Sequence, residues 1–234
     1  MPRLVERIRA AAFDLDGTLL DSAPDLAAAA NTMLGMLGRV PVAENRIAML
    51  IGDGIDRLVE GVLTASTGRD VESAALVAAG GLFRQYYAEH LFDRSRVYPG
   101  VMEGLRTLAD AGIGLCCVTN KHPAFTLPLL DAAGLAHFFA FALCADRAEE
   151  RKPKPDLLLA AMARFEVAAE ELLCVGDSRA DIAAARGACC PVAAVNYGYN
   201  QGRPLAAEHP DWIISSLTEI IALPAKPRFA NAAA

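Results

Sequence analysis

The sequence predicts an α/β fold, a doubly wound parallel sheet interrupted by a helical insert. Short apolar runs typical of strands alternate along the chain with helical stretches, the pattern of a parallel sheet covered on both faces. Residues 21–98 break this alternation, because they contain helical patterns and no convincing strand. Acidic residues stand directly after two of the apolar runs, at the strand ends where open α/β sheets bind ligands.

Six apolar runs have the length and composition of buried strands. The predicted strands are residues 11–13, 114–118, 141–144, 172–175, 192–195 and 212–214. Apolar residues at helical spacing predict helices between and after these runs, at residues 100–111, 124–133, 156–165, 178–186 and 217–222. Together these elements predict a core made of residues 1–20 and 99–223.

Residues 21–98, called the helical insert below, are predicted to contain helices at 25–37, 55–64 and 71–90. The insert opens on the sequence Ser-Ala-Pro-Asp, which is typical of a helix start, and ends at a Pro-Gly turn. The Pro/Ala-rich residues 224–234 are expected to form a loose tail.

The composition of the chain argues against several classes of function. The chain has 234 residues, enough for one medium domain with a smaller insert, and its net charge of −6 without a basic block argues against a nucleic-acid partner. There is no apolar run near the roughly 20 residues of a membrane span and no secretory signal, so we expect a cytoplasmic protein without a membrane partner. None of the six cysteines forms a CxxC pair, which favours small apolar fillers over zinc ligands or disulfides.

The first acidic pair, Asp14 and Asp16, follows residues 11–13 at once. Two carboxylates at one strand end repel each other, so such a pair normally needs a cation or a shared proton. The alternative interpretation is a solvated turn, in which Asp21 or Ser22 caps the next helix. This interpretation explains Asp14 poorly, because an acid next to a buried strand is costly to desolvate. The pair therefore predicts a metal site, where a carboxylate can also act as a nucleophile.

Two further segments carry polar residues that suit phosphate. Thr119 and Asn120 follow an apolar run, where they either cap the next helix or, beside Asp14, donate to phosphate oxygens. Lys152 lies in a charged loop that Pro153 and Pro155 hold extended. Such loops are usually only solvated, but a lysine held in one place can neutralise a carboxylate or a phosphate.

The fourth segment places Gly176, Asp177 and Ser178 directly after residues 172–175. Asp177 is a candidate ligand for Mg²⁺, which prefers few carboxylates plus water and substrate oxygens. The alternative is a capping box, in which Ser178 and Asp181 satisfy the first backbone groups of the next helix. The two interpretations are compatible, since Ser178 can cap the helix while Asp177 binds the metal.

Taken in order, the four segments resemble the motifs of the haloacid dehalogenase superfamily of phosphotransferases, from about residue 10 to residue 222. The resemblance implies a Rossmann-like core, and the helical insert has the position of the family's helical cap. One departure is Cys189, which stands where the family has a glycine, with Gly187 two residues earlier. The sequence therefore does not predict the conformation of this turn. Within the superfamily the sequence resembles the phosphoglycolate phosphatases through residues 21–26, 119–121, 152–156 and 196–199.

The resemblance implies a mechanism and a set of roles. Asp14 would attack phosphorus to form an aspartyl-phosphate, and Asp16 would protonate the leaving alcohol and then activate water. The acid at position 16 favours phosphate-ester hydrolysis or phosphomutase chemistry over cleavage of carbon–halogen bonds. The implied Mg²⁺ ligands are Asp14, the Asp16 backbone carbonyl and Asp177. The implied phosphoryl-binding residues are Thr119, Asn120 and Lys152. Asp181 would support the metal shell or Lys152, and Ser178 and Gly176 are further supporting residues.

The helical insert is expected to select a small phosphorylated metabolite. Phosphoglycolate carries a carboxylate, so a cationic residue of the insert is expected to bind it; Arg57 is the candidate, with an exposed helix arginine as the alternative. Rival enzymes are a phosphosugar phosphatase, acting for example on N-acetylmuramic acid 6-phosphate, and a β-phosphoglucomutase-like enzyme. A non-catalytic binding module is disfavoured because no catalytic position is missing. A monomer or homodimer is expected.

Overall fold

The core of the molecule is a parallel sheet with the first strand near its centre. The computed structural model describes residues 2–69, 72–145 and 147–225. The strands in these ranges are β1 (Ala10–Phe13), β2 (Leu20–Asp21), β3 (Arg96–Val97), β4 (Gly114–Thr119), β5 (Phe141–Cys144), β6 (Leu172–Gly176), β7 (Val192–Val195) and β8 (Trp212–Ile214). Six of them form one sheet in the order β5-β4-β1-β6-β7-β8, with every pair parallel.

The helices alternate with the strands of this sheet, as the sequence predicts. Within the described residues they are α1 (Ala23–Met36), α2 (Glu44–Ala48), α3 (Ile55–Thr67), α4 (Ser73–Glu89), α5 (Val101–Asp110), α6 (Pro123–Ala132), α7 (Asp156–Phe165) and α8 (Arg179–Gly187). The predicted last helix, Leu217–Ala222, is a 3₁₀ helix. The α/β fold predicted from the sequence is therefore confirmed.

Strand β1 lies between β4 and β6, and all of its side chains are buried. Phe13 faces an apolar cluster shared with α5 and α6, whereas Ala12 faces a second cluster shared with α7 and α8. Side chains that alternate across a strand therefore meet helices on both faces of the sheet. Because the three strands are parallel, the loops that follow β1, β4 and β6 emerge side by side at one edge.

The helical insert packs around a third apolar cluster, in which Met33 of α1, Val62 of α3 and Phe83 of α4 are fully buried. Phe125 of the core helix α6 also joins this cluster. The prediction that this region contains no strand is wrong at its two ends. There β2 and β3 pair antiparallel, with Asp21 opposite Arg96. Strands of two residues are too short to show an alternating pattern, and the sequence analysis also missed the short helix α2.

Cys189 forms the turn after α8 with a φ of 58°, in the left-handed region that favours glycine. The turn after α8, whose conformation the sequence did not predict, therefore has the backbone of a glycine turn, although its residue is a cysteine. The Cys189 side chain is exposed, so the cost of this residue lies in its backbone and not in its packing.

The end of the described chain lies against its beginning. Pro224 forms a bridge with Arg3, and the N–H of Ala225 donates to the carbonyl of Pro2 at 2.9 Å. Residues 226–234 of the predicted tail lie outside the described residues. A search of the described residues finds no helix with both the length and the apolar character needed to cross a membrane.

Candidate active site

Acidic and basic side chains meet at the edge of the sheet where β1, β4 and β6 end. Asp14 follows β1, Asp177 follows β6 and Asp181 lies in the first turn of α8, and oxygens of the three carboxylates lie within 4.8 Å of one another. Lys152 Nζ lies 2.6 Å from Asp14 Oδ1 and 2.6 Å from Asp181 Oδ1. Its third donor reaches the carbonyl of Val118 at 2.9 Å, so the ammonium is saturated.

The charges in this cluster are not balanced. Burial, followed by the charges of Asp181 and Asp16, raises the pKa of Asp14 to about 7 against the pull of Lys152. Burial and the neighbouring carboxylates likewise raise the pKa of Asp177 well above its usual range. Burial alone would lower the pKa of Lys152, but Asp14 and Asp181 outweigh it and raise that pKa. One lysine therefore faces three acids, and a further cation would relieve their repulsion.

The donors of the cluster fit a hard divalent cation. Asp14 and Asp177 offer carboxylate oxygens, the ligands that Mg²⁺ prefers. Asp181 is less available, because it accepts three bonds, one from the ammonium of Lys152 and two from Ser178, at 3.0 Å and 2.6 Å. Within the described residues Asp177 accepts only two, from Thr18 Oγ1 at 3.2 Å and from the N–H of Tyr199 at 2.7 Å. Asp14 and Asp177 could therefore bind a metal ion, while Asp181 holds Lys152.

Glycines make room for these carboxylates. A Cβ on Gly17, whose φ is +90°, would lie 2.3 Å from Asp177 Oδ2, and a Cβ on Gly198 would lie equally close, at 2.3 Å. A Cβ on Gly176 would lie 2.3 Å from Cγ of Asp181. Any side chain at these positions would displace an acid of the cluster.

Ser178 caps helix α8 as the sequence analysis describes. Its Oγ accepts from the N–H of Asp181 at 3.3 Å, and the Asp181 carboxylate accepts from the N–H of Ser178 at 3.0 Å. The capping box therefore fixes the rotamer of Asp181, while Asp177 lies one residue before the cap and remains in the cluster.

Asn120 connects three loops through one side-chain amide. Its Nδ2 donates to the carbonyl of Lys152 at 3.0 Å and to the carbonyl of Gly52, in the insert, at 2.9 Å. Its Oδ1 accepts from the N–H of Lys152 at 2.8 Å. The preceding residue, Thr119, is 2% exposed, and its Oγ1 accepts from the N–H of Lys121 at 3.2 Å. The amide of Asn120 therefore positions Lys152 and holds the insert against the core.

Asp16 has a cationic partner that the sequence analysis did not assign. Lys121 Nζ lies 3.0 Å from Oδ1 and 3.0 Å from Oδ2 of Asp16, and it packs 4.9 Å from the ring centroid of Tyr87 in α4. Ser22 Oγ donates to Asp16 Oδ1 at 2.5 Å. Lys121 follows Thr119 and Asn120 directly in the sequence, but no local sequence pattern indicates that its side chain reaches Asp16, in the loop after β1.

Tyr199, from the loop after β7, ties the insert to the acidic cluster. Its hydroxyl accepts from the N–H groups of Ser22 at 2.7 Å and Ala23 at 2.8 Å, and it donates to Asp21 Oδ1 at 2.9 Å. Its own N–H donates to Asp177 Oδ2 at 2.7 Å. Ser22 occupies the N-cap position of α1, as the sequence suggests, but its side chain does not cap the helix. Within the described chain Ser22 makes no side-chain capping bond, because its helical backbone turns the hydroxyl toward Asp16.

A cavity of about 50 Å³ lies between the insert and the sheet edge. Arg57 lies outside the described residues that line it, since its side chain is 70% exposed and pairs with Glu60 at 2.7 Å. Every other predicted site residue except Gly176 lines the cavity: Asp14, Asp16, Thr119, Asn120, Lys152, Asp177, Ser178 and Asp181.

Comparison with protein families assigns the chain to a class. Residues 8–188 match the family model for haloacid dehalogenase-like hydrolases. The chain belongs to this family. The match confirms the family that the sequence resembles, and it confirms the prediction that the protein is an enzyme.

Individual relatives are similar over almost the whole chain. A protein of Thiobacillus denitrificans named phosphoglycolate phosphatase is 44% identical over 91% of this chain and 93% of its own length. One of the same name from Nitrosospira multiformis is 46% identical, with 91% and 93% coverage. The crystal structure of a predicted phosphoglycolate phosphatase from Haemophilus somnus superposes with a TM-score of 0.88 at 34% identity, covering 92% of this chain and 97% of that one.

Proposed function

We propose that this protein is a Mg²⁺-dependent phosphatase that hydrolyses 2-phosphoglycolate to glycolate and phosphate. The observation that supports the proposal most is the cluster of Asp14, Lys152, Asp177 and Asp181. In it a carboxylate that can attack phosphorus lies beside a lysine and a second carboxylate that can bind a metal. The names of the relatives support the choice of substrate.

Asp14 acts as the nucleophile in the first half of the reaction. One of its carboxylate oxygens attacks phosphorus, and the bond from phosphorus to the ester oxygen breaks, which leaves an aspartyl-phosphate. Lys152, 2.6 Å from Asp14 Oδ1, holds the nucleophile and offsets the negative charge that approaches it. Thr119 lies at the end of β4, where it binds phosphoryl oxygens.

Asp16 moves the protons. It gives a proton to the departing ester oxygen and so releases the alcohol. As a carboxylate it then takes a proton from a water molecule whose oxygen attacks phosphorus, which releases phosphate and restores Asp14. Its place two residues after Asp14 lets one side chain serve both steps, and Ser22 and Lys121 hold its carboxylate in position.

Asp14, the backbone carbonyl of Asp16 and Asp177 would hold Mg²⁺. When bound, the ion supplies positive charge to the phosphoryl oxygens, whose charge must be stabilised for phosphoryl transfer. Gly17 and Gly198 keep the carboxylate of Asp177 in place for this role.

We propose further that residues 21–98 act as a cap that excludes water and limits substrate size. The cavity lies between the insert and the sheet edge, so closure of the insert would limit the space for the alcohol half of a substrate.

A substrate panel with Mg²⁺ or with EDTA tests the proposal. We expect kcat/KM for phosphoglycolate to exceed that for glucose 6-phosphate and N-acetylmuramic acid 6-phosphate, and turnover to stop in EDTA. Equal or faster turnover of the sugar phosphates would overturn the assigned substrate. Isomerisation of a sugar phosphate without release of phosphate would identify a mutase.

A further inference from the structure

Two lysines reach the cavity, and they are held differently. Among the described residues that line it, the cationic side chains are Lys121 and Lys152. The ammonium of Lys152 donates three hydrogen bonds, to Asp14, to Asp181 and to the carbonyl of Val118. Lys121 gives two of its three donors to a single carboxylate, that of Asp16. A substrate anion can therefore bind Lys121 while Asp16 keeps one of its bonds.

We propose that Lys121 is the specificity-determining residue of this site and binds the carboxylate of a carboxylated phosphate monoester. This inference rests on the proposed function and names the group that recognises the half of the substrate that is not phosphate. It moves the recognition of the carboxylate from the insert, where the sequence suggested Arg57, to the loop that follows β4.

The position of Lys121 relative to Asp16 supports this role. Asp16 protonates the ester oxygen, so that oxygen must come within hydrogen-bond distance of its carboxylate. Lys121 Nζ is 3.0 Å from both oxygens of the same carboxylate. In phosphoglycolate a single methylene separates the ester oxygen from the carboxylate carbon, so a substrate whose ester oxygen contacts Asp16 has its carboxylate within reach of Lys121.

The burial of Lys121 makes its charge effective. Its side chain is 3% exposed, whereas that of Arg57 is 70% exposed. Charges in a dry site interact more strongly than charges that water and salt screen. The ring of Tyr87, 4.9 Å from Nζ, packs against the ammonium and restricts where it can move. A neutral ester of the same size would leave this charge without a substrate partner.

The test compares two substrates that differ in the carboxylate, phosphoglycolate and ethyl phosphate, in the wild type and in Lys121→Met. We expect the ratio of their kcat/KM values to fall about 10- to 100-fold in the variant, the usual effect of losing a hydrogen bond to a charged group. Lys154→Met, which removes an exposed lysine from the neighbouring loop, should leave the ratio unchanged.

Three outcomes would overturn the inference. If Lys121→Met slows both substrates equally, Lys121 only positions Asp16. If Arg57→Met lowers the ratio and Lys121→Met does not, the insert recognises the carboxylate. If the wild type does not prefer phosphoglycolate to ethyl phosphate, the site does not recognise a carboxylate at all.

The substrate panel separates this inference from the proposed function. If sugar phosphates are the better substrates but Lys121→Met still abolishes the preference over ethyl phosphate, the proposed function fails and Lys121 keeps its role. Inhibition of the wild type gives a measurement that does not depend on the folding of a variant. We expect phosphonopropionate, the methylene analogue of phosphoglycolate, to inhibit at least about tenfold more tightly than propylphosphonate, and equal inhibition would overturn the inference.

Discussion

The sheet edge and the helical insert both line the cavity, but they contribute different kinds of contact. At the sheet edge, the side chains of Asp181 and Lys152 are 2% and 4% exposed and are fixed by several charged hydrogen bonds. The insert contributes apolar side chains and the loop at Gly52, whose carbonyl accepts from Asn120. The apolar residues of the insert in the cavity wall are Leu26, Ile51, Ile55 and Leu58.

This difference assigns the chemistry to the core and the shape of the cavity to the insert. A change in the acidic cluster of the sheet edge should therefore abolish turnover with every substrate. A change at the contact between the two regions should lower both the rate of turnover and the stability of that contact. Changes outside both regions should alter stability alone.

The largest expected effect comes from Asp14→Asn, which removes the nucleophile but keeps the shape of the side chain. We expect kcat to fall about 10⁴-fold or more for every phosphate ester, by analogy with other nucleophile deletions. Steady-state assays with phosphoglycolate measure the loss. Asp156→Asn, an exposed acid at the start of α7, is the matched control and should keep normal turnover. Turnover within tenfold of the wild type in Asp14→Asn would remove Asp14 from the mechanism.

Asn120→Ala tests the contact between core and insert. The change leaves the N–H and carbonyl of Lys152 and the carbonyl of Gly52 without their partner. We expect a loss of about 1–3 kcal/mol in the free energy of unfolding and a fall of about 10- to 100-fold in kcat/KM. Urea titration and steady-state kinetics measure the two effects. Asn45→Ala, on the exposed face of α2, should change neither, and a harmless Asn120→Ala would show that the contact does not hold Lys152.

The acidic cluster predicts how pH changes the effect of Mg²⁺ on stability. The pKa of Asp14 is about 7 in the folded protein against 3.8 ordinarily, so the folded state holds this proton more tightly than the unfolded chain does. In metal-free protein the resulting stability is fully present below about pH 4 and is lost as the pH rises through 7. Mg²⁺ competes with that proton, so it should stabilise more at pH 8 than at pH 5.5.

Thermal unfolding in EDTA and in MgCl₂ at the two pH values measures this difference. At pH 8 and a metal concentration near 100 times Kd, we expect a gain of about 2.7 kcal/mol. Asp177→Asn should abolish the gain. A stabilisation by Mg²⁺ that is the same at both pH values would contradict the proposed site.

Cys189→Gly should have the smallest effect and act on stability alone. The cysteine has a φ of 58°, so glycine relieves the steric cost of the left-handed conformation, although it gains freedom in the unfolded chain. We expect a net stabilisation of about 0.5–1 kcal/mol, which corresponds to a few degrees in Tm. Cys144→Ala, in strand β5, provides a cysteine control that should not stabilise. A lower Tm for Cys189→Gly would mean that the turn carries no strain.

The sequence predicts the sheet edge well, because β1 and β6 end in buried apolar runs that place Asp14 and Asp177 by backbone geometry alone. The capping box of Ser178 is equally local. Contacts between segments far apart in sequence were not predictable in this way. Lys121 and Asp16 meet across 105 residues, and Tyr199 reaches Ser22 across 177. The charge of Arg57 favours it as a ligand for an anion, but the packing of α3 leaves its side chain exposed.

The central claim, that Asp14 carries the phosphoryl group and Asp16 releases it, is tested most directly in Asp16→Asn with p-nitrophenyl phosphate. This leaving group needs no proton, so Asp14 can still be phosphorylated, while hydrolysis lacks its base. We predict a burst of one nitrophenolate per active site, followed by slow turnover, with phosphate on the peptide that contains Asp14. Slow release without a burst, from folded protein that carries no phosphate at Asp14, would contradict the account.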